Sequence, residues 1–374
     1  MLAAAAVAAT TAGAVAGAGA SAGCGGSEPA DGPSSEVGRT LADGLARALE
    51  RAGALREPFH CAELATAARA SAGGGSPVEL GRRGGRQLAL EGDRLRIGPA
   101  EAGRRDRTLV AGVVADARGA SAATLAQLGR VRGEFEREGV ELVVSLGGMG
   151  TGEQELGQVL AALARDAPWV VWAIPGERES IPAHRAAVTS LLAAGYPVFD
   201  GSRVRLVEVD GAVLASFPGA EEAGQLAAGA DGCVHRPGDA SALAVRLAAQ
   251  KAMRVWAGHS PPRQSGALAG DVALGGVHVG ELALAAALPA AHADLVLHGL
   301  VDEAALGSAS GQASLGDREG PAILGTGPVE AMPITGPDGA LFAGAALVVR
   351  ASASAGEITW KRVRFPVGGS VSAR

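Results

Sequence analysis

The chain has 374 residues, 48% of them hydrophobic, enough to bury the core of one large α/β domain with an appendage, or of two domains. Its net charge is −6 with both signs interspersed, and no long basic run gives the footprint of a nucleic-acid binder. Aromatic residues make up only 3%, which argues against a platform for stacking bases.

The first 23 residues carry no charged side chain and are nearly all Ala, Gly, Val, Thr and Ser. An apolar segment ending in small residues reads as a secretory signal. Ser21-Ala22-Gly23-Cys24 resembles a bacterial lipobox, with Ser21 where leucine is usual. The expectation is a leader over residues 1–24, lipidation of Cys24, and an exported protein, periplasmic or anchored to a bacterial membrane. The bland alternative is a flexible Ala/Gly-rich leader. Residues 25–35 are a Gly/Ser/Pro/Asp linker. In an oxidising compartment the two other cysteines, Cys61 and Cys233, are expected to pair; otherwise they are separately buried thiols.

Residues 36–105 read as a helical and hairpin addition, with Leu41, Leu45, Ala48 and Leu49 on one helix face. Residues 86–98 alternate apolar and polar around Gly92-Asp93, which predicts a hairpin. From Leu109 short apolar runs alternate with amphipathic helices. Strands are predicted at 109–115, 141–146, 169–174, 204–209 with 212–217, 253–258, 293–298, 321–325 and 341–349. Helices are predicted at 121–138, 153–165, 182–194, 239–251 and 280–287. Such alternation means a parallel or mixed sheet covered by helices.

Sites in open α/β sheets form at the carboxyl ends of strands. Five strand ends carry polar residues: Asp116-Ala117-Arg118, Gly147-Gly148-Met149-Gly150, Gly176-Glu177-Arg178-Glu179, Gly258-His259-Ser260, and His298-Gly299-Leu300-Val301-Asp302. The glycine-rich run Gly147–Gly152 fits no phosphate-loop spacing and lacks a following lysine, so it reads as a tight strand-to-helix turn. His278 and His298 read as structural.

In order and spacing, these five ends resemble the calcineurin-like metallophosphoesterases. That family carries D-x-H, G-D, G-N-H-[DE], a lone His and G-H-x-H at its strand ends. The resemblance covers about residues 107–305 and implies a four-layer α/β/β/α sandwich over residues 106–366, with a tail at 367–374. The family's chemistry needs two cations about 3.5–4 Å apart, which activate water and clamp a phosphoryl oxygen. Carried over position by position, Asp116 and His259 stand unchanged. Arg118 replaces a histidine ligand, and Gly148 replaces the metal-bridging aspartate. Glu177 and Arg178 replace an asparagine ligand and the histidine that protonates the leaving group. Leu300 and Asp302 replace the last two histidines. Whether Glu153 or Glu179 replaces a lost ligand is left open by the sequence.

The resemblance therefore implies a protein without a working dinuclear site, with no cofactor expected and a binding or structural role at the cell envelope. The expected partner is an envelope protein or a small anionic ligand. Two alternatives stay open. One is a residual phosphoester hydrolase on a single Mn, Fe or Zn ion held by Asp116, His259 and Asp302. The other is an anion-binding module built on Arg118 and Arg178. Those arginines have a bland reading too, as a closed cluster neutralised by Asp116 and Glu177.

Overall fold

The computed structural model describes residues 60–61, 77–98, 108–221, 225–228, 231–266, 269–273, 275–315, 320–335 and 341–367. The expected leader with Cys24, the linker, the helix proposed around residues 41–49, and nearly all of the tail lie outside them.

Three strands come first: β1 (Val78–Arg83), β2 (Arg86–Glu91) and β3 (Arg94–Ile97). β4 (Thr108–Val114), α1 (Ala122–Arg137), β5 (Leu142–Ser145), α2 (Glu153–Ala164), β6 (Val170–Ala173), α3 (Ile181–Ala193) and β7 (Val198–Asp200) then alternate. The hairpin β8 (Leu206–Val209) and β9 (Ala212–Phe217) follows, then α4 (Pro237–Ala248), β10 (Met253–Gly258), and the small ribbon β11 (Val272–Ala273) and β12 (Val277–His278). The chain ends with α5 (Leu282–Ala291), β13 (Leu295–His298), β14 (Ser310–Ser314), β15 (Ala322–Gly325), β16 (Pro333–Thr335), β17 (Leu341–Ser352) and β18 (Glu357–Pro366).

Two eight-stranded sheets result. In the first the order is β14-β18-β17-β4-β5-β6-β7, with β16 against β17; β4 to β7 run parallel. In the second the order is β1-β2-β3-β8-β9-β10-β13-β15. Strand alternation defines the layers. Along β9, Ala212 and Leu214 enter the large core shared with the first sheet. Val213, Ala215 and Phe217 enter a second core with Leu243 and Leu247 of α4 and Leu284 and Leu288 of α5. β10 and β13 divide the same way, with Trp256 and Val296 on the helix side. Leu128 of α1, Leu160 of α2 and Val188 of α3 pack on the first sheet. The molecule is thus a four-layer α/β/β/α sandwich, as the sequence led one to expect.

The hairpin is where it was expected, but it does not stand apart as an addition. β3 runs parallel to β8, pairing Arg94 with Leu206 through Ile97 with Val209, so the N-terminal strands complete the second sheet. The alternation of Leu88, Leu90, Leu95 and Ile97 supplies the buried face this requires. Among the described residues no helix is long and apolar enough to cross a membrane.

Cys61 and Cys233 are joined as a disulfide, with Cα atoms 5.7 Å apart. Beside it, Arg205 Nη1 donates to the Cys61 carbonyl at 2.6 Å, and His60 Nε2 meets Asp239 Oδ2 at 2.6 Å. The cross-link spans 172 positions, and a closure that long removes a large share of unfolded-chain entropy. Replacing both cysteines with alanine is expected to lower stability by about 3–5 kcal/mol. A urea melt of the double variant checks this; an unchanged midpoint would show that the clasp contributes nothing.

Candidate functional site

The five strand ends converge at the carboxyl edge of β4, β5, β6, β10 and β13. The loops after β4 and β5 are stitched together by backbone bonds: Asp116 N to Gly147 O at 2.9 Å, and Arg118 N to Gly148 O at 2.8 Å. Asp116, Arg118 and Leu300 hold left-handed backbone, φ 54°, 52° and 63°, three of the six non-glycine residues that do so among those described. Such conformations are costly and cluster where geometry serves a site.

His259 is fully buried. Its Nδ1 donates to the Leu146 carbonyl at 2.6 Å, which turns Nε2 toward Glu177, with which it forms a tight ion pair. Burial alone would lower the imidazole, but the Glu177 carboxylate and Asp116 raise it to about 10. Burial likewise pushes Glu177 upward, and the His259 charge overrides it, holding the carboxyl at about 2. Asp116, buried and facing Glu177 as well as the cations, is raised to about 6, chiefly by burial. Its Oδ2 accepts the Leu300 N–H at 3.1 Å.

Arg118 lies among three carboxylates. Its guanidinium is 2.5 Å from Asp302, 3.4 Å from Glu330 and 3.9 Å from Asp116. Arg118 is thus surrounded by acids, and Glu177 pairs with His259 and not with an arginine. Arg178 is half-buried and enters none of the described ion pairs. Asp302, expected as a possible third ligand beside Asp116 and His259, is paired with Arg118. Single donor atoms of Asp116, Glu177 and His259 lie within 4.8 Å of one another.

Sequence reasoning missed one residue, Glu330, and left the role of another, Glu179, open. Glu330 is far along the chain, yet its N–H bonds to the Asp116 carbonyl at 3.1 Å, and nothing in its local pattern announces this. Glu179 is spent on structure, accepting from Met149 N at 2.7 Å and Gly176 N at 2.9 Å, so it ties the β5 and β6 loops together and replaces no ligand. Glu153 begins α2 and is exposed. In the glycine-rich turn, Glu155 Oε2 accepts the Thr151 N–H at 2.8 Å, so the chain supplies its own anion there.

A pair of cations does not fit. Gly148 has φ 70°, and a Cβ built on it would stand 2.2 Å from Asp116 Oδ1, so the space of a bridging carboxylate is taken by Asp116 itself. Leu300 offers no donor, and the Arg118 guanidinium already balances the acids of the second position. A single cation does fit the donor set of Asp116, Glu177 and His259, whose imidazole is oriented by a backbone carbonyl in the manner of a metal ligand. Bound there, it would supply Lewis-acid chemistry.

The layered sheets and the strand-end residues make the fold metallophosphoesterase-like. No protein-family model and no curated protein matches the chain. Solved structures similar to it include a protein of Thermus thermophilus, 10% identical, covering 69% of this chain and 99% of that one at a TM-score of 0.46. A dimetal phosphatase from Danio rerio is 13% identical over 65% of this chain and 95% of that one, TM-score 0.42. A purple acid phosphatase from yellow lupin is 9% identical over 77% of this chain and 62% of that one, TM-score 0.39.

Proposed function

We propose that this chain is a non-hydrolytic protein on a metallophosphoesterase-like fold, exported and held at the envelope through Cys24, with a binding or structural role there. The observation that carries the reading is Arg118 among Asp116, Asp302 and Glu330. A fixed guanidinium balances the acids that a second cation would need, and it repels a dication. Phosphate monoesters and diesters offered with Mn, Fe or Zn are expected to show no turnover that depends on Asp116. Hydrolysis abolished by Asp116→Ala would overturn the proposal.

A second reading is favoured by one observation, the convergence of Asp116, Glu177 and His259. It holds that a single divalent ion binds there and supports residual phosphoester hydrolysis. Elemental analysis of protein purified without chelator decides it: one ion per chain, lost in Glu177→Gln, supports this reading, and a metal-free protein removes it.

A further inference from the structure

One strand outward from the candidate site, the carboxyl end of β7 gathers a second polar cluster. Asp200 ends the strand and is buried. Its Oδ1 accepts the Ser202 N–H at 2.8 Å, and His184 Nε2 lies 3.4 Å from the same oxygen. Arg185, on the next position of α3, approaches Oδ2 only to 3.9 Å, beyond hydrogen-bonding reach.

The donors here outnumber the acceptors. Arg185 Nε and Nη2, Arg203 Nε and the Ser202 hydroxyl are buried without a hydrogen-bond partner among the described residues, against one such acceptor, Asp200 Oδ2. The charges do not balance either. Two guanidiniums stand against one carboxylate, and that carboxylate is already shared with His184. Burial, followed by the repulsion of Arg203, presses Arg185 below the ordinary arginine range despite Asp200. Water can satisfy an N–H, but it does not neutralise a half-buried guanidinium. A planar fork with free donors beside a second arginine suits a multidentate oxyanion. The Arg185 side chain keeps 20% exposure, so the guanidinium is not sealed from solvent. The position also agrees with chemistry, since ligands of open α/β sheets sit beyond the carboxyl ends of the strands.

We propose that this chain binds a phosphate group between Arg185 and Arg203 at the carboxyl end of β7. This site is separate from the Arg118 cluster, whose acids exclude anions, and it does not depend on whether the chain hydrolyses anything. A free phosphate ion and the phosphate of a larger molecule present the same oxygens.

Footprinting of the wild-type protein tests it without relying on a variant that must fold. Arginines are modified with phenylglyoxal in the presence of inorganic phosphate, a phosphomonoester or acetate, and the sites are read by mass spectrometry. Phosphate is expected to protect Arg185 and Arg203 at least severalfold, with acetate giving no protection. Stronger protection by the monoester than by phosphate assigns the site to a phosphorylated ligand, and equal protection assigns it to the free ion. Calorimetry with phosphate is expected to show one ion per chain, bound at least tenfold more weakly by Arg185→Lys, which keeps the charge but loses the fork. Equal modification with and without phosphate overturns the proposal, as does protection by acetate alone.

Discussion

Replacing His259 with leucine is expected to cost about 3–5 kcal/mol at neutral pH, the range for breaking a buried ion pair from one side. Leucine fills most of the ring's volume, so the loss is electrostatic: Glu177 and Asp116 are left facing each other with no cation between them. The pH profile distinguishes this from a packing defect. His259 is raised from 6.5 to about 10 in the fold, so its contribution is complete below pH 6.5 and is lost as pH climbs toward 10. Glu177 is lowered from 4.5 to about 2, so its contribution is present above pH 4.5 and is lost on acidification toward 2. Asp116 has the opposite sign to Glu177: its rise from 3.8 to about 6 makes ionisation unfavourable in the fold, and stability falls across that interval. Urea melts from pH 5 to 10 should show an alkaline decline in the wild type that the variant lacks. A variant retaining that decline would show that the imidazole is not charged in the folded protein.

Arg118→Met should cost about 2–4 kcal/mol at pH 7, because Asp116 is buried and Asp302 and Glu330 are only partly solvated. Methionine keeps much of the aliphatic stem, so packing is largely retained. Two treatments should restore the loss. Mild acid protonates Asp116, and millimolar Mn supplies the positive charge the guanidinium had provided. The melting temperature of the variant should therefore rise with Mn by several degrees more than that of the wild type. Equal rises in both proteins would mean that the three acids do not converge on one cation.

The sequence showed the architecture well because burial on both faces leaves a plain signature. The runs over 109–115, 141–146 and 253–258 became β4, β5 and β10 with ends shifted by a residue or so. It missed β7, whose three residues are too few to show a period, and β14, whose Ser-Gly-Gln-Ala-Ser has no apolar face. At the site, Asp116, Glu177 and His259 were legible because each stands just past the carboxyl end of a predicted strand. Their pairing was not legible. Whether Glu177 meets Arg178 or His259, and whether Asp302 meets a metal or Arg118, depends on side-chain direction across strands distant in sequence. Glu330 shows the same limit, since it reaches Arg118 from 212 positions away. The two arginines beyond β7 gave no signal, having been read only as part of a helix and a strand approach.

Two open sheets leave four edges, β1 and β15 on one and β14 and β7 on the other, and three of them are broken, short or polar. β1 is interrupted by an irregularity between Glu79 and Gly81 and carries Arg82 and Arg83 outward or half-outward. β7 is three residues long, and β14 is polar along its length. Short, charged or broken edges do not template strand addition by a neighbouring molecule. The consequence is colloidal: these three borders resist edge-to-edge aggregation where copies crowd together, and a partner meeting them would have to engage side chains or loops instead of extending a sheet.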